Sequence, residues 1–331
     1  MKKYTSKIAA KPWFSIAVAF LILCIISSFI MPAFLQLSNF RGVLITSTTT
    51  GIMAVGLTFV IMTGGIDISI GGIVYLTAII YCVTMNTYDN VAMAVVFSIG
   101  AASIAGIVNG YLVYKFKMAP MITTLATCNI FKGVGLTISG GRNYAVPSYA
   151  TFWGKGTIAG ISIPILIMIV VILIGIYLFA KTRFGTYVRA IGNSEASAAE
   201  SHLPVRNTLM EAYFLAGITS GIAGIIYVSR VGGLQGNLGS GIEFTVIAAV
   251  VLGGTKLIGG SGTIVGSIIG AIFLVIIDNV LAMLGASTYV FEAVRGAILL
   301  FAVMADRAAY VRQFKAMRHE KFERIRATSK H

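Results

Sequence analysis

The chain of 331 residues is 57% hydrophobic and only 11% charged, against about 25% charged in soluble domains, so a water-soluble globular protein is excluded. The formal net charge of +14 would suit an anionic polymer, but the basic residues gather at the ends of apolar runs, where anionic inner-leaflet lipid attracts them. Membrane lipid, and no nucleic acid, is the expected partner of that charge.

Residues 1–12 carry Lys2, Lys3, Lys7 and Lys11 ahead of the first apolar run, 13–34. That run is too long for the core of a secretory signal and no small-residue cleavage site follows it, so it is expected to stay as the first span. A span needs about 20 apolar residues. Further runs fall at 43–63, 73–88, 91–114, 118–138, 161–180, 207–229, 243–258, 263–284 and 288–305. The expected fold class is all-α, a polytopic membrane protein of about ten transmembrane helices. It is read as a single transmembrane domain over 1–331, with the membrane region at 13–305. If the spans alternate from a cytoplasmic N-terminus, most of the 25 Lys and Arg lie inside and only Arg41, Arg142, Lys155 and Arg230 lie outside. Both termini are then cytoplasmic, and loops 139–160 and 230–242 are external.

The second and third runs are joined by Thr63-Gly64-Gly65-Ile66-Asp67-Ile68-Ser69-Ile70-Gly71-Gly72, with almost no hydrophilic loop. A matching break, Gly253-Gly254-Thr255-Lys256-Leu257-Ile258-Gly259-Gly260-Ser261-Gly262, lies in the corresponding part of the second half. The pair suggests two pseudo-repeated halves. Irregular backbone at membrane depth survives only where protein or a water-filled cavity covers it. Paired glycine breaks point to a translocation route in transporters, or simply allow close helix packing. Gly64, Gly65, Asp67, Ser69, Gly253 and Gly254 are the route candidates. Asp67 fits either a helix cap or a functional intramembrane carboxylate.

Other charges within the runs are few. Lys132 lies in the fifth and Asp278 in the ninth, while Glu292 and Arg295, three apart in the tenth, can share a helix face and pair. They are too few for a proton relay. Cys24, Cys82 and Cys128 sit in apolar segments and read as small buried hydrophobes. His202, His319 and His331 have no metal-ligand spacing, so neither a metal site nor a catalytic cluster is expected.

The longest cytoplasmic loop is 181–206. Gly192 and Asn193 offer a turn, and Asn193 or Ser194 an N-cap. The Ala-rich stretch after Glu195 suits a short helix that Pro204 ends. Such a helix is either a lever for a cytoplasmic partner or an ordinary amphipathic connector. The tail, 306–331, is basic and reads as lipid-facing or solvated.

These motifs carry a resemblance. From about Gly51 to Ala305 the chain resembles the permeases of bacterial ABC importers for ribose, xylose, related monosaccharides and the autoinducer-2 signal. The stretch from Gly56 to Gly71 is similar to the family's most distinctive block. Asn109-Gly110, Pro120-Met121-Ile122-Thr123-Thr124-Leu125, Thr182-Arg183-Phe184-Gly185 and Ile247 to Thr255 with Gly259-Gly260-Ser261-Gly262 resemble others. The resemblance implies a permease in a bacterial inner membrane, paired with a second copy or a homologous permease. It implies a cytoplasmic ABC ATPase and an extracytoplasmic solute-binding protein as partners. Coupling to the ATPase would pass through Asn193, Ser194, Glu195, Ala198 and His202. ATP and Mg would be held by the ATPase, with no cofactor on this chain; the sequence has no G-x-x-x-x-G-K-[ST] phosphate loop. The chain departs from the family pattern at Asn193, Ser194, Ser197, His202 and Thr245. The alternatives are an ABC permease for a nucleoside or branched-chain amino acid, and a stand-alone secondary transporter.

Overall fold

The structure is a computed structural model that describes residues 14–234, 239, 241–287, 289–304, 307–308 and 311. Residues 1–12, most of the basic tail and part of 230–242 lie outside the described residues.

Nearly everything described is helix, as apolar surroundings demand, because a helix satisfies its own backbone polar groups. Helix α1 (Phe14–Ile30) and a 3-10 turn (Pro32–Leu35) lead to α2 (Leu37–Met62). Then come α3 (Ile70–Tyr88), α4 (Val91–Phe116) and α5 (Pro120–Ser139). A short α6 (Phe152–Lys155) and a two-residue hairpin, β1 (Thr157–Ile158) antiparallel to β2 (Ile161–Ser162), separate these from α7 (Ile163–Lys181). The second half holds α8 (Arg183–Asn193), α9 (Glu195–Glu200), α10 (Val205–Val231), α11 (Ile242–Leu252) and α12 (Ile264–Met283). Residues 289–304 form α13.

Among the described residues seven helices, α2, α3, α4, α5, α7, α10 and α12, are long and apolar enough to cross a membrane. The predicted runs 13–34 and 288–305 are helical over Phe14–Ile30 and over 289–304. The run 243–258 is the clearest correction: its helix α11 has 11 residues, about 16 Å, roughly half the hydrocarbon thickness. Gly253 and Gly254 stop it.

Burial sorts the spans into two layers. The most apolar windows of α2, α3 and α10 are 83%, 78% and 67% buried, against 28% for each of α4, α5 and α7. Helix α10 packs against α2, α3 and α4. The contact depends on small residues: a Cβ on Gly56 would run into Thr219 and Ala216, and one on Gly217 into the carbonyl of Ala102. This is the close backbone approach that replaces hydrophobic driving force inside lipid.

The two ends of the bundle differ. At one end, Leu234 donates to the Tyr144 carbonyl (2.8 Å) and Val146 to that of Gly232 (3.0 Å), so the two expected external loops meet there. Tyr149 donates to the Asp89 carboxylate at the same end. The opposite end carries α8 and α9.

Three further expectations are corrected. Gly192 and Asn193 do not form a turn; both belong to α8. Pro204 does not end α9, which stops at Glu200 through a left-handed His202 (φ +56°), and Pro204 instead precedes α10. Arg295 pairs with Asp278 on α12, Nε to Oδ1 at 3.1 Å and Nη2 to Oδ2 at 2.6 Å, and not with Glu292.

Candidate functional site

The two glycine breaks begin with the same turn. Gly64 donates to the Ile61 carbonyl (2.9 Å) and Gly65 to that of Val60 (3.2 Å). Gly254 donates to Val251 (2.9 Å) and Thr255 to Val250 (3.2 Å). Each is the paired closure that satisfies a helix's last carbonyls, and it needs one left-handed residue. Gly64 (φ +84°) and Gly254 (φ +88°) supply it, because an L side chain there meets the following carbonyl. The repeat in the sequence is therefore a repeated helix stop. The restarts differ: Asp67 accepts from the Ser69 amide (2.8 Å) before α3, and Thr263 Oγ1 accepts from the Gly266 amide (3.1 Å) to cap α12.

The breaks then touch one another and the α8–α9 connector. The Gly260 amide donates to the Met62 carbonyl at 2.9 Å. A Cβ on Gly259 would lie 2.8 Å from the Gly64 nitrogen and 3.0 Å from the Gly192 Cα. One on Gly192 would run into the Met62 carbonyl and the Gly260 amide, and one on Gly260 into the Asn193 side-chain oxygen. Three backbone segments from distant parts of the sequence thus form one junction whose closeness depends on the absence of side chains.

The residues singled out from the sequence divide around it. Gly64 and Asn193 are in the junction, and Gly254 turns the chain beside it. Gly253 packs on the backbone of Gly266, where a Cβ would clash. Gly65 lies under the Tyr213 hydroxyl, 2.9 Å from where its Cβ would be. Ser194 caps α9 by accepting from the Ser197 amide (3.2 Å). Ala198 is buried against Ile191, Val205 and Leu209, fastening α9 to α8 and α10. Glu195 pairs with Lys117 at 2.8 Å on the surface, and His202 is exposed. Sequence reasoning did not place Gly192, Gly259 and Gly260 in the site. The signal for Gly259 and Gly260 was their doublet within the second break, and Gly192 had none.

Above the junction the irregular backbone of the first break is held by polar side chains. Asp67 is fully buried, and its Oδ1 accepts from the Ser69 amide and hydroxyl (2.6 Å). Ser69 Oγ in turn accepts from Asn109 Nδ2 at 2.6 Å, and Thr124 Oγ1 accepts from the Ile68 amide at 3.0 Å. Asp67 therefore braces the turn that starts α3. Further along, Glu243 in the first turn of α11 lies 3.9 Å from Lys132 of α5. Among the described residues no group of three His, Cys, Asp or Glu comes together to hold a metal. The junction is made of backbone amides, carbonyls and one carboxamide.

The sequence profile of the family described as "Branched-chain amino acid transport system / permease component" matches residues 39–303. The ribose import permease protein RbsC of Bacillus subtilis (strain 168) is 37% identical over 86% of this chain and 90% of its own length. The autoinducer 2 import system permease protein LsrC of Enterobacter sp. (strain 638) is 30% identical over 91% of this chain and 89% of its own. The L-arabinose ABC transporter permease protein AraH of Azospirillum brasilense is 31% identical over 88% and 86%. No solved structure matches the chain.

Proposed function

The chain belongs to the family of branched-chain amino acid transport system permease components, and from that premise we propose that it is the membrane subunit of an ATP-driven importer for a monosaccharide or sugar-like solute. The names of its relatives, ribose, arabinose and autoinducer-2 permeases, favour a sugar over the amino acid of the family's description. The solute crosses by alternating access at the interface with a second permease. ATP and Mg are bound and hydrolysed by a cytoplasmic ABC ATPase, and this chain supplies the route and no catalytic residue. Both termini and α9 face the cytoplasm, as the distribution of Lys and Arg favours. A solute-binding protein docks at the opposite end, on 139–160 and its neighbour 230–242.

One observation carries the reading: the α8–α9 connector is packed directly on both glycine breaks. A push on α9 reaches Gly192 and Asn193, and through them the end of α2 and the second break at Gly259 and Gly260. A connector that only joined two spans would not need to touch either break. The test is isolation from native membrane in mild detergent, followed by uptake in proteoliposomes. Recovery with a phosphate-loop ATPase, and sugar uptake that requires ATP, are expected. A chain recovered alone that takes up solute in ATP-free vesicles would be a secondary transporter and would end this reading.

A further inference from the structure

Three spans present most of their surface outside the chain, and one differs in chemistry. The outward residues of α4 include Val96, Phe97 and Ile104, and those of α7 include Ile169, Val170 and Leu173. Both faces suit acyl chains. Helix α5 is also outwardly apolar, at Ile122, Leu125 and Ile130 among others, but it adds Asn129 and Thr137 to that face, and Lys132 is 27% exposed. Asn129 is the tenth of its 20 residues, so it lies far from either end of the span. Polar groups at that depth are costly against lipid and mark solute pathways.

Lys132 is directed at Glu243, the acidic residue in the first turn of the half-length helix α11. Glu243 is only 5% exposed, and its Oε2, packed on Gly71, has no hydrogen-bond partner. The pair is 3.9 Å apart, beyond the roughly 2.7–3.2 Å of a direct hydrogen bond. A cationic donor and an anionic acceptor thus stand side by side, attracted but not bonded. Asn129, one turn away on the same helix, adds a carboxamide whose Nδ2 donates to the Leu125 carbonyl at 3.2 Å.

From this geometry we infer that Lys132 and Glu243, with Asn129 beside them, form a contact on the solute route for the adjacent hydroxyls of a neutral polyhydroxylated solute. The inference rests on the importer reading and deepens it by naming the solute's chemistry at this point. A hydroxyl both donates and accepts. One sugar hydroxyl can accept from Lys132 while its neighbour donates to Glu243, with each charge kept by its partner. An anion would be opposed by Glu243 and a cation by Lys132. A solute with a net charge is therefore opposed by one member of the pair, whereas a neutral polyol is opposed by neither.

The experiment uses the full transporter, with its ATPase and binding protein, in proteoliposomes. Cys24, Cys82 and Cys128 are replaced by Ala and Asn129→Cys is introduced, with Thr137→Cys as a second variant on the same face. Val170→Cys on α7 is the lipid-facing control. The probes are D-ribose, L-arabinose and D-xylose, and the reagents are a charged methanethiosulfonate and a membrane-permeant maleimide. The charged reagent is expected to modify the α5 thiols but not the α7 control. The sugar that is taken up should slow that modification. Lys132→Met or Glu243→Gln should remove the protection and lower uptake about tenfold, the effect of losing a hydrogen bond to a charged group. Modification by the maleimide alone would mean that lipid covers α5. No modification by either reagent would mean that the second permease packs on it. Both overturn the inference. Uptake of a sugar that leaves the thiol unprotected overturns it while sparing the importer reading. Absence of uptake for all three sugars in the unsubstituted protein overturns both.

Discussion

Gly192→Ala separates the junction from everything else. The new Cβ would meet the Met62 carbonyl oxygen and the Gly260 amide nitrogen. Both are backbone atoms, so neither can rotate away, and α8 must retreat by about 1 Å to restore ordinary contact. Overpacking of this kind costs about 1–3 kcal/mol. The substitution also replaces glycine inside α8, which returns about 1 kcal/mol of helix propensity. The variant therefore folds, with a net loss of about 0–2 kcal/mol, and the remaining strain is concentrated where α8 meets the breaks. A tenfold fall in sugar uptake per ATP hydrolysed corresponds to about 1.4 kcal/mol, within that strain. Uptake and ATP hydrolysis measured in the same proteoliposomes should show hydrolysis retained and uptake reduced. Gly100→Ala on α4 is the control: nothing lies within 4 Å of its Cβ position, so it should be neutral or stabilise by about 0.5–1 kcal/mol. A Gly192→Ala protein with wild-type uptake per ATP would refute the junction as the coupling element.

Gly64→Ala and Gly254→Ala should destabilise by similar amounts, about 1–2 kcal/mol each, because both residues are left-handed in equivalent helix stops; thermal melts in detergent that differ widely between them would contradict the equivalence. Asn109→Leu deletes the 2.6 Å bond to buried Ser69 and should cost about 1–3 kcal/mol, read by the same melts. Lys117→Ala removes an ion pair whose side chains are 66% and 50% exposed, so stability should change by less than about 1 kcal/mol.

The sequence made the helices legible because apolar runs of span length leave the backbone no alternative in lipid. It also marked both breaks, since each carries two glycine doublets in an otherwise apolar stretch. Neither the length of α11 nor the partners of the charged residues could be read. The run 243–258 is apolar through the turn, and only the left-handed Gly254 ends the helix early. Glu292 and Arg295 have the spacing of a helical pair, yet Asp278 on α12 offers the guanidinium two oxygens at once, which a neighbour on the same helix does not match. Gly192 looked like a turn residue because glycine is the usual breaker. It is helical because what requires its missing side chain is the approach of two other segments, and local sequence carries no sign of that.

Glycine-rich breaks could serve as flexible hinges, but the hydrogen bonding here argues for rigid joints. Within the second break Lys256 donates to the Ser261 carbonyl (2.9 Å) and Gly259 to that of Lys256 (3.0 Å), while Gly260 is tied to Met62 (2.9 Å). The first break is braced by Asp67, Ser69 and Thr124. A joint closed in this way passes displacement on instead of absorbing it. Helix α11 then acts as a rod, with the junction beyond its C-terminal end and Glu243 at its start, about 16 Å away along the axis. A shift imposed on α9 would appear at Glu243, where α11 faces Lys132, and so would alter the gap between them. Amide hydrogen exchange separates the two pictures. Rigid joints predict that Lys256, Gly259 and Gly260 exchange as slowly as the neighbouring turns of α11 and α12, since protected amides report closed structure. Exchange at these three amides as fast as in an exposed loop would show that the breaks dissipate motion, and would remove α11 as the link between α9 and the solute.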